Sequence, residues 1–274
     1  MTDQSLELLG VAVEAARAAA SIIRDAGPRV RDIAWREKSA TDFVSEVDLA
    51  AEMSILDVVR RQVPHAAILA EETAAALPAG RQGQGVVFVV DPLDGTTNFL
   101  HGFPEYAVSI GVLVGGALAA SVVLDVPGDE CFTATLDGGA RLDGVPIFVS
   151  ATDNPQRALI GTGFPFKNLA DIEPYQRQMS RVMAGVSGVR RPGAASIDLA
   201  SVACGRFDAF WETMLAPWDV AAGLLLIREA GGVVTDLSGA PAAVGHTAIV
   251  AGNSTMHRWL MQALTSERAA DRSQ

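Results

Sequence analysis

The sequence predicts an α/β protein with two halves, an α+β half over residues 1–150 and an α/β half over residues 151–274. Segments 4–26 and 46–62 carry apolar residues at the spacing of an amphipathic helix. Short apolar runs over 106–150 are separated by Gly-Gly and Asp-Gly pairs, which is typical of antiparallel strands joined by tight turns. Strands that alternate with helices in the second half indicate stacked layers of sheet and helix, and we expect the two halves to form one compact unit.

The elements of the N-terminal half follow from the apolar spacing and from the Gly and Pro residues that end each run. In chain order we predict helix 4–26, helix 46–62, strand 67–70, a mobile small-residue loop over 73–85, strand 86–90, a hairpin over 107–124, and strands 130–135, 140–142 and 145–149. The hairpin segment has 18 residues without a charge, which is long enough for a membrane span. Its central Gly115-Gly116 pair, with valines on both sides, instead favours a turn, so we expect no membrane span.

The C-terminal half combines short strands with amphipathic or apolar helices. In chain order we predict strand 158–161, helix 173–184, helix 196–203, strand 207–212, helix 218–230 and helix 254–266. The residues from about Ser266 onward are polar, and we expect them to fray. This alternation is the pattern from which layered α/β proteins are built.

Composition and charge narrow the classes of function. Hydrophobic residues make up 49% of the 274 residues, so the chain can bury a substantial core. The formal net charge of −11 argues against a protein whose main task is to bind nucleic acid, because that affinity comes largely from Lys and Arg on phosphates. Cys131 and Cys204 form no C-x-x-C motif, and the N-terminus has no basic segment typical of a secretory signal. We therefore expect a reduced, cytoplasmic setting.

The most informative segment is Asp91-Pro92-Leu93-Asp94-Gly95-Thr96-Thr97-Asn98-Phe99, which follows the apolar strand 86–90. Two carboxylates three residues apart at the end of a strand can point at one spot, and hard cations such as Mg²⁺ take oxygen ligands of this kind. Gly95 lets the backbone approach a ligand closely. The amides that follow can face a phosphate, particularly if a helical turn starts there. The segment therefore predicts a site for a divalent metal and a phosphate.

Four acidic residues stand at the ends of predicted elements: Glu71, Asp91, Asp94 and Asp219. Four carboxylates that converge without a cation would repel one another strongly. Two or three Mg²⁺ ions, about 3.5–4 Å apart, would stabilise the same cluster, lower the pKa of a bound water and stabilise a leaving oxygen. This arrangement is the one expected for metal-assisted hydrolysis of a phosphate ester.

The motifs resemble those of a known family. The 91–99 segment and Trp218-Asp219-Val220-Ala221-Ala222-Gly223, followed by Glu229-Ala230-Gly231-Gly232, resemble the two signatures of the inositol monophosphatase family, part of the lithium-sensitive, Mg²⁺-dependent phosphatase superfamily. The Lys38…Asp42…Asp48 element, Ala70-Glu71-Glu72 (with Ala where the family has Gly) and the 193–199 segment resemble further family motifs. Residues from about 5 to 262 match in order and spacing.

The resemblance implies a layered α-β-α-β-α sandwich with the active site between an α+β half and an α/β half. It implies that the metal ligands are Glu71, Asp91, the Leu93 carbonyl, Asp94 and Asp219, with Asp91 shared by two ions. It implies that Thr96, hydrogen-bonded to Asp48, orients and helps to deprotonate the attacking water, with Glu71 nearby, in a direct in-line reaction without a phosphoenzyme. The implied substrate contacts are Asp94, Gly95, Thr96, Gly193, Ala194, Ala195, Glu212 and Asp219.

The activity implied is hydrolysis of myo-inositol monophosphate to inositol and phosphate. The same superfamily also includes phosphatases for histidinol phosphate, fructose 1,6-bisphosphate and 3′-phosphonucleotides, and the metal-binding motifs are common to all of them. Specificity is expected in loops near 162–170, 185–195 and 212, where Glu212 favours a polyhydroxylated substrate. A different class of function also stays open, because some bacterial members contact the transcription machinery as interaction proteins. The resemblance further suggests a homodimer.

Several residues have a structural interpretation beside the functional one. Asp219 could be a helix N-cap, and Glu212 could be a plain exposed residue. Lys38 could be a solvated lysine or a counter-charge near the metals. The Arg190-Arg191 pair could contact a second phosphate, or lie on the surface or at a subunit interface, and we favour the surface. The four histidines, His65, His101, His246 and His257, have no ligand spacing and are interpreted as structural or surface groups.

Overall fold

The computed structural model describes residues 2–39, 42–73, 85–166 and 169–266. The predicted loop over 73–85 lies outside the described residues from 74 to 84, and so does the predicted frayed tail after Ser266. The helices are α1 (Asp3–Ala26), α2 (Glu46–Gln62), α3 (Thr96–Leu100), α4 (Ile172–Met183), α5 (Ala195–Ala203), α6 (Pro217–Glu229) and α7 (Ser254–Thr265). Short 3₁₀ turns cover Gly27–Asp32, Pro155–Arg157 and Leu169–Asp171.

The strands form three sheets. They are β1 (Trp35–Ser39), β2 (Asp42–Ser45), β3 (Ala67–Ala70), β4 (Val86–Asp94), β5 (Ala107–Val114), β6 (Ala117–Asp125), β7 (Glu130–Thr135), β8 (Gly139–Leu142), β9 (Val145–Pro146), β10 (Leu159–Thr162), β11 (Gly188–Arg190), β12 (Ala209–Leu215), β13 (Val233–Thr235) and β14 (Thr247–Gly252). Strands β1 and β2 form an antiparallel ribbon. The large sheet has the order β3-β4-β5-β6-β7-β8-β9 and is antiparallel except where β3 pairs with β4. The smaller sheet has the order β11-β10-β12-β14-β13.

Helices and sheets alternate in five layers. Helices α1 and α2 pack together on one face of the large sheet, where they bury one apolar cluster. Helices α5 and α6 lie between the large sheet and the small sheet, inside a second cluster. Helices α4 and α7 cover the outer face of the small sheet with a third cluster. The predicted α-β-α-β-α sandwich is confirmed.

Small residues allow the close packing that positions the site. A Cβ added to Gly111 in β5 would lie 2.6 Å from the Cβ of Ala221, so α6 sits directly against the large sheet. A Cβ added to Gly223 would lie 2.5 Å from the Leu199 side chain, so α5 and α6 are equally close. Substituting either glycine forces these elements apart. The start of α6 is thereby held next to the end of β4.

Most predicted elements appear, and the differences have physical causes. The 107–124 segment is the β5–β6 hairpin, and across the described residues no helix has the length and apolar character of a membrane span. The predicted strand 145–149 is reduced to Val145–Pro146, since Pro lacks the N–H that a ladder needs. Sequence patterns missed β1, β2, β11, β13 and β14, which are mostly short. The domain boundary near residue 150 stays a prediction. Helices α5 and α6 contact both sheets, so the two halves share one packed interior.

Candidate active site

The predicted site residues surround one cavity of about 390 Å³ between the two sheets. Its walls include Glu71, Asp91, Leu93, Asp94, Gly95, Thr96, Gly193, Ala194, Ala195, Glu212 and Asp219. Of the predicted catalytic residues only Asp48 lies behind the wall, where it contacts Thr96. The tertiary structure therefore brings together residues that are up to 148 positions apart in the chain (from 71 to 219).

The acidic end of the cavity is built on β4, all nine residues of which are buried. The pairing of β4 with β5 shifts register between Asp91 and Asp94, at Pro92, which cannot donate a ladder hydrogen bond. The Leu93 amide donates to Asp91 Oδ1 at 3.1 Å, which fixes the first carboxylate locally. This irregularity turns both carboxylates of a fully buried strand toward the cavity.

Gly95 follows β4 and begins the short helix α3 in a left-handed conformation, with φ of +87°. A Cβ at this position would lie 2.7 Å from the Glu105 carbonyl oxygen, so only glycine fits. The Thr96 hydroxyl donates to Asp48 Oδ1 at 2.8 Å and lies 3.0 Å from the Leu93 carbonyl oxygen. The hydroxyl thus connects the turn to the first turn of α2.

Asp48 is oriented by the capping box of α2. The Ser45 amide and hydroxyl donate to Asp48 Oδ2 at 2.9 and 2.5 Å, which leaves Oδ1 for Thr96. Burial raises the pKa of the Asp48 carboxyl, and the hydrogen bonds from Ser45 and Thr96 oppose that rise. Both carboxylate oxygens of Asp48 therefore accept hydrogen bonds from protein groups.

Asp94 receives two hydrogen bonds from the second half of the protein. The Ser196 amide and hydroxyl donate to Asp94 Oδ2 at 2.7 and 2.5 Å. Burial raises the pKa of Asp94 to about 6, and the two Ser196 donors oppose the rise. Ser196 lies in the first turn of α5, so this pair joins the strand that ends in Asp94 to the layer between the sheets.

We expect Ser196→Ala to weaken metal-dependent activity while α5 stays folded. Loss of the hydroxyl removes one of the two donors that hold Asp94, so the Mg²⁺ concentration for half-activity should rise about tenfold, as for other outer partners of metal ligands. The pKa of Asp94 should rise further, which moves the acidic limb of the activity profile to higher pH. The measurement is phosphate release against Mg²⁺ concentration and pH.

Ser201→Ala is the matched control, because Ser201 lies in the same helix and is also buried, whereas the hydrogen bonds to Asp94 Oδ2 come from Ser196. An unchanged Mg²⁺ requirement in Ser196→Ala would show that the Ser196 hydroxyl does not support this carboxylate.

Glu71 and Asp219 reach the cavity from two other elements. The Glu71 amide donates to the Val90 carbonyl at 3.1 Å, which continues the β3–β4 pairing past the end of β3. The next amide, that of Glu72, donates at 2.8 Å to the buried Glu52 carboxylate of α2. Asp219 lies in the first turn of α6, where its Oδ2 accepts from the Ala216 amide at 2.7 Å. Asp219 therefore caps its helix and lines the cavity at the same time.

The acidic residues form one electrostatic cluster. The pKa of Asp91 is raised well above its usual range, first by burial and then by the charges of Glu71, Asp94 and Asp219. Within the described ranges no three Asp, Glu, His or Cys side chains stand close enough to make a ready-formed metal centre. The donor set, which is all oxygen, fits a hard divalent cation that would draw the carboxylates together.

The rest of the cavity wall is formed by the C-terminal half. Glu212 lies in β12 next to Gly163, and its carboxyl carbon lies 1.9 Å from where a Cβ of residue 163 would stand, so the carboxylate fills the space that the glycine leaves. Gly193 has φ of +100° and precedes the buried Ala194. The Asn98 side-chain amide donates to the Glu105 carbonyl at 2.7 Å and the Pro192 carbonyl at 3.1 Å. Asn98 thus ties the glycine turn after β4 to the loop before α5.

Sequence reasoning assigned no role to four residues that support this site, although three of them lie in the motifs singled out above: Glu52, Asn98, Ser196 and Asp198. Asp198 is buried beside the cavity, and its pKa is raised well above the usual range by burial, then by Glu212 and other acids. The available signal was a polar residue inside an apolar helix, at Glu52 in α2 and at Ser196 and Asp198 in α5. Sequence alone did not indicate which group each of these residues would contact.

Other predicted structural residues take ordinary places. His257 is buried against Thr235, with the side-chain atoms 2.9 Å apart, and Trp218 contacts His246 edge to face. Both cysteines are free thiols. The side chain of Lys38 falls outside what the structure describes, so its two interpretations stay open.

Comparisons with known proteins identify the family to which the chain belongs. A model of the inositol monophosphatase family matches residues 4–269. The chain is 43% identical to Nus factor SuhB of Pseudomonas aeruginosa, over 93% of this chain and 94% of that protein. It is 40% identical to an inositol-1-monophosphatase of Mesorhizobium japonicum, over 96% and 98% of the two chains. The crystal structure of the suhB extragenic suppressor protein from Bartonella henselae superposes with a TM-score of 0.88 at 38% identity, covering 94% and 98%.

The fold and its acidic cavity define a phosphatase class that is generally metal-dependent and acts on small phosphorylated substrates. Within that class, the chain belongs to the inositol monophosphatase family. The family predicted from the sequence motifs is confirmed.

Proposed function

We propose that this protein is a Mg²⁺-dependent phosphomonoesterase that hydrolyses myo-inositol monophosphate to inositol and phosphate. The observation that carries the proposal is the shared cavity, which joins four carboxylates, a left-handed glycine turn and a carboxylate-oriented threonine. Membership of a phosphatase family supports a phosphoric monoester hydrolase. The relative named inositol-1-monophosphatase supports the inositol ester as its substrate.

Glu71, Asp91, Asp94, Asp219 and the Leu93 carbonyl would hold two or three Mg²⁺ ions. Bound Mg²⁺ supplies a Lewis acid that activates water and stabilises the charge on the phosphoryl and leaving oxygens. The clustered charges around Asp91 support this assignment. Burial is the main cause of the raised pKa of Asp91 and the neighbouring carboxylates add to it, and a cation would relieve that added repulsion. The identity of the metal as Mg²⁺ and the number of ions are both part of this proposal.

The chain's own residues would orient the reactants. The amides of Gly95 and Thr96 would hold the phosphate at the start of α3. The Thr96 hydroxyl donates to Asp48 Oδ1 in α2 and can accept a hydrogen bond from the attacking water. Asp48 would thereby fix the direction of the Thr96 hydroxyl and, through it, the position of the water. Glu71 would accept the proton of that water, since it lies in the same cavity wall. The phosphoryl group would be attacked in line, without a covalent intermediate.

The cavity wall contributed by the C-terminal half would hold the alcohol part of the ester. Glu212 would accept hydrogen bonds from ring hydroxyls, and Gly193, Ala194 and Ala195 would contact the ring through backbone groups. This arrangement favours a polyol over a base. Histidinol phosphate, fructose 1,6-bisphosphate and a 3′-phosphonucleotide remain the alternative substrates.

A homodimer, lithium sensitivity and a cytoplasmic setting are further predictions from the family resemblance.

The test is phosphate release by the purified protein with Mg²⁺ on four esters: myo-inositol 1-phosphate, histidinol phosphate, fructose 1,6-bisphosphate and a 3′-phosphonucleotide. We expect the highest kcat/KM on the inositol ester and no release in EDTA. Preference for another ester would keep the chemistry and replace the substrate. Absence of Mg²⁺-dependent release from all four would contradict the enzymatic proposal.

A second candidate is an interaction protein that contacts the transcription machinery. Relatives named Nus factor SuhB, at 43% and 40% identity, support this candidate. A scaffold has no physical need for four converging carboxylates, so the two functions can be separated by one substitution. Asp94→Asn should leave binding to purified transcription complexes unchanged in gel filtration, whereas binding that disappears with this change would tie it to the acidic cavity.

A further inference from the structure

A second cavity, of about 640 Å³, lies between the large sheet and α6, and we name it the apolar cavity. On the side of the sheet it is lined by a row of apolar residues from four neighbouring strands, β3 to β6: Leu69, Val87, Val89, Leu113 and Leu118. Each of these residues pairs directly with another in the row or lies two positions from it in the same strand. The row therefore presents its side chains on one face of the sheet.

The facing wall of the apolar cavity consists of Leu225 in α6 and the loop 242–245. Leu225 and Ala242 are both buried, so this wall belongs to the protein core. The Ala242 amide donates to the Val234 carbonyl at 3.3 Å, which ties the loop to β13. Cavities of this size that have mainly apolar walls and a few placed polar groups are typical of small-molecule sites.

Arg228, near the end of α6, supplies a positive charge to this wall. Its side chain is exposed overall, so the guanidinium stands where the cavity meets solvent, and partial burial lowers the pKa of Arg228. One N–H group donates to the Ala242 carbonyl. Over the described ranges Arg228 forms no ion pair, so its remaining donors are available to an anion.

The other charged side chain among the described lining residues is Glu229. Its two carboxylate oxygens accept hydrogen bonds from the Asp137 and Gly139 amides, each at 2.9 Å, so Glu229 holds the turn between β7 and β8. A doubly charged phosphate beside Glu229 would be repelled more than a singly charged carboxylate. The charges at the rim therefore favour a carboxylate, and the walls favour an apolar body attached to it.

We propose that the apolar cavity is a binding site for a small amphipathic carboxylate, with its apolar chain against the sheet and its carboxylate on Arg228. A guanidinium matches a carboxylate with paired N–H donors, and the chain gains the free energy of leaving water. The ligand class is a medium-chain fatty acid or a compound of the same shape and charge. This inference goes beyond the proposed function and does not depend on it.

The position of the apolar cavity decides which residues can be changed in a test. Three of its lining residues lie two positions before a proposed metal ligand in the chain: Leu69 before Glu71, Val89 before Asp91, and Pro217 before Asp219. Substitutions at these three would disturb the acidic cavity as well. Arg228 and the half-buried Val244 line the apolar cavity and take no part in the wall of the acidic one.

The test is calorimetric titration of the full chain with octanoate and with 1-octanol, which share the apolar chain and differ in the carboxylate. We expect one octanoate per chain, bound roughly tenfold more tightly than 1-octanol, because the bond to Arg228 is charge-assisted. Arg228→Gln should remove this preference and leave 1-octanol binding unchanged, while Arg228→Lys, which keeps the charge, should retain part of it. Val244→Phe should weaken both ligands, because the larger ring takes up cavity volume.

Arg190→Gln is the matched control. Arg190 Nη1 also donates to a backbone carbonyl, that of Val189 at 3.1 Å, but Arg190 takes no part in the wall of the apolar cavity. We expect Arg190→Gln to bind both ligands as wild type does. Thermal unfolding of each variant checks that it is folded, and the Arg228 variants decide the inference even if Val244→Phe does not fold.

Absence of octanoate binding to wild type would overturn the inference. Equal affinity for octanoate and 1-octanol would overturn it in favour of a neutral apolar occupant, such as a side chain of a partner protein. Octanoate binding that persists unchanged in Arg228→Gln, or in folded Val244→Phe, would place the ligand elsewhere on the chain. None of these results depends on phosphate release, so failure of the proposed function would be seen separately.

Discussion

Replacing Asp94 with Asn is expected to remove Mg²⁺-dependent phosphate release, by on the order of 10³-fold or more, since metal catalysis contributes several kcal/mol to the barrier. Asp94 Oδ2 accepts two hydrogen bonds from Ser196, at 2.7 and 2.5 Å. In the variant the amide oxygen must take that acceptor position, so the NH₂ group faces the cavity. An NH₂ group donates hydrogen bonds and cannot coordinate a cation. The measurement is kcat with saturating Mg²⁺.

The same substitution at Asp129 is the control. Asp129 is exposed, has a left-handed backbone that Asn tolerates, and forms a surface ion pair with Arg24 that contributes little to stability. We expect Asp129→Asn to retain wild-type activity and oligomeric state. Turnover by Asp94→Asn within tenfold of wild type would refute the assignment of Asp94 as a metal ligand.

Metal-free protein is expected to lose stability as pH rises, and Mg²⁺ is expected to reverse that trend. Burial raises the pKa of Asp94 from 3.8 to about 6 and raises the pKa of Asp91 well above its usual range. A carboxyl with a raised pKa in the folded state contributes stability that is complete below the unfolded pKa and is lost as pH rises through the folded pKa. For Asp94 this window runs from about pH 4 to pH 6 and corresponds to a loss on the order of 3 kcal/mol.

Mg²⁺ binds only the ionised carboxylates, so its stabilising effect should grow over the same window as protons leave. The measurement is the free energy of unfolding by urea at pH 4, 5, 6 and 7, in EDTA and in Mg²⁺. We expect Asp94→Asn to lose less stability than wild type over this range in EDTA and to respond little to Mg²⁺, while Asp129→Asn follows wild type. The opposite result would be a free energy of unfolding that, in EDTA, changes with pH equally in wild type and in Asp94→Asn. It would show that ionisation of buried Asp94 does not destabilise the fold.

The acidic motif could be predicted from the sequence because its signals are local. A buried apolar run that ends in Asp91 and Asp94, followed by Gly95 and two hydroxyls, has few structural uses, so its chemistry is visible without a fold. Apolar periodicity likewise predicted α1 and α2, since burial on one face of a helix depends on residue spacing. The Gly115-Gly116 pair between two apolar runs predicted the β5–β6 hairpin. The short strands β11 and β13 were missed because three residues carry no detectable period.

The supporting residues depend on which elements meet. Ser196 is an ordinary serine in an apolar helix until α5 packs beside the end of β4, where its hydroxyl faces Asp94. The two arginines at 190 and 191 are adjacent and chemically identical, yet only Arg191 reaches the cavity, because its guanidinium lies over Phe164 and Phe166.

The sequence by itself therefore determined the family, the layered fold class and the acidic residues proposed as metal ligands, because spacing and residue type carry that information along the chain. Only the tertiary structure decided which hydrogen bonds orient those residues and which side chains complete the cavity wall. Those contacts join groups as much as 102 residues apart, as between Asp94 and Ser196. Their geometry comes from the packing of whole helices against sheets, which no local pattern encodes.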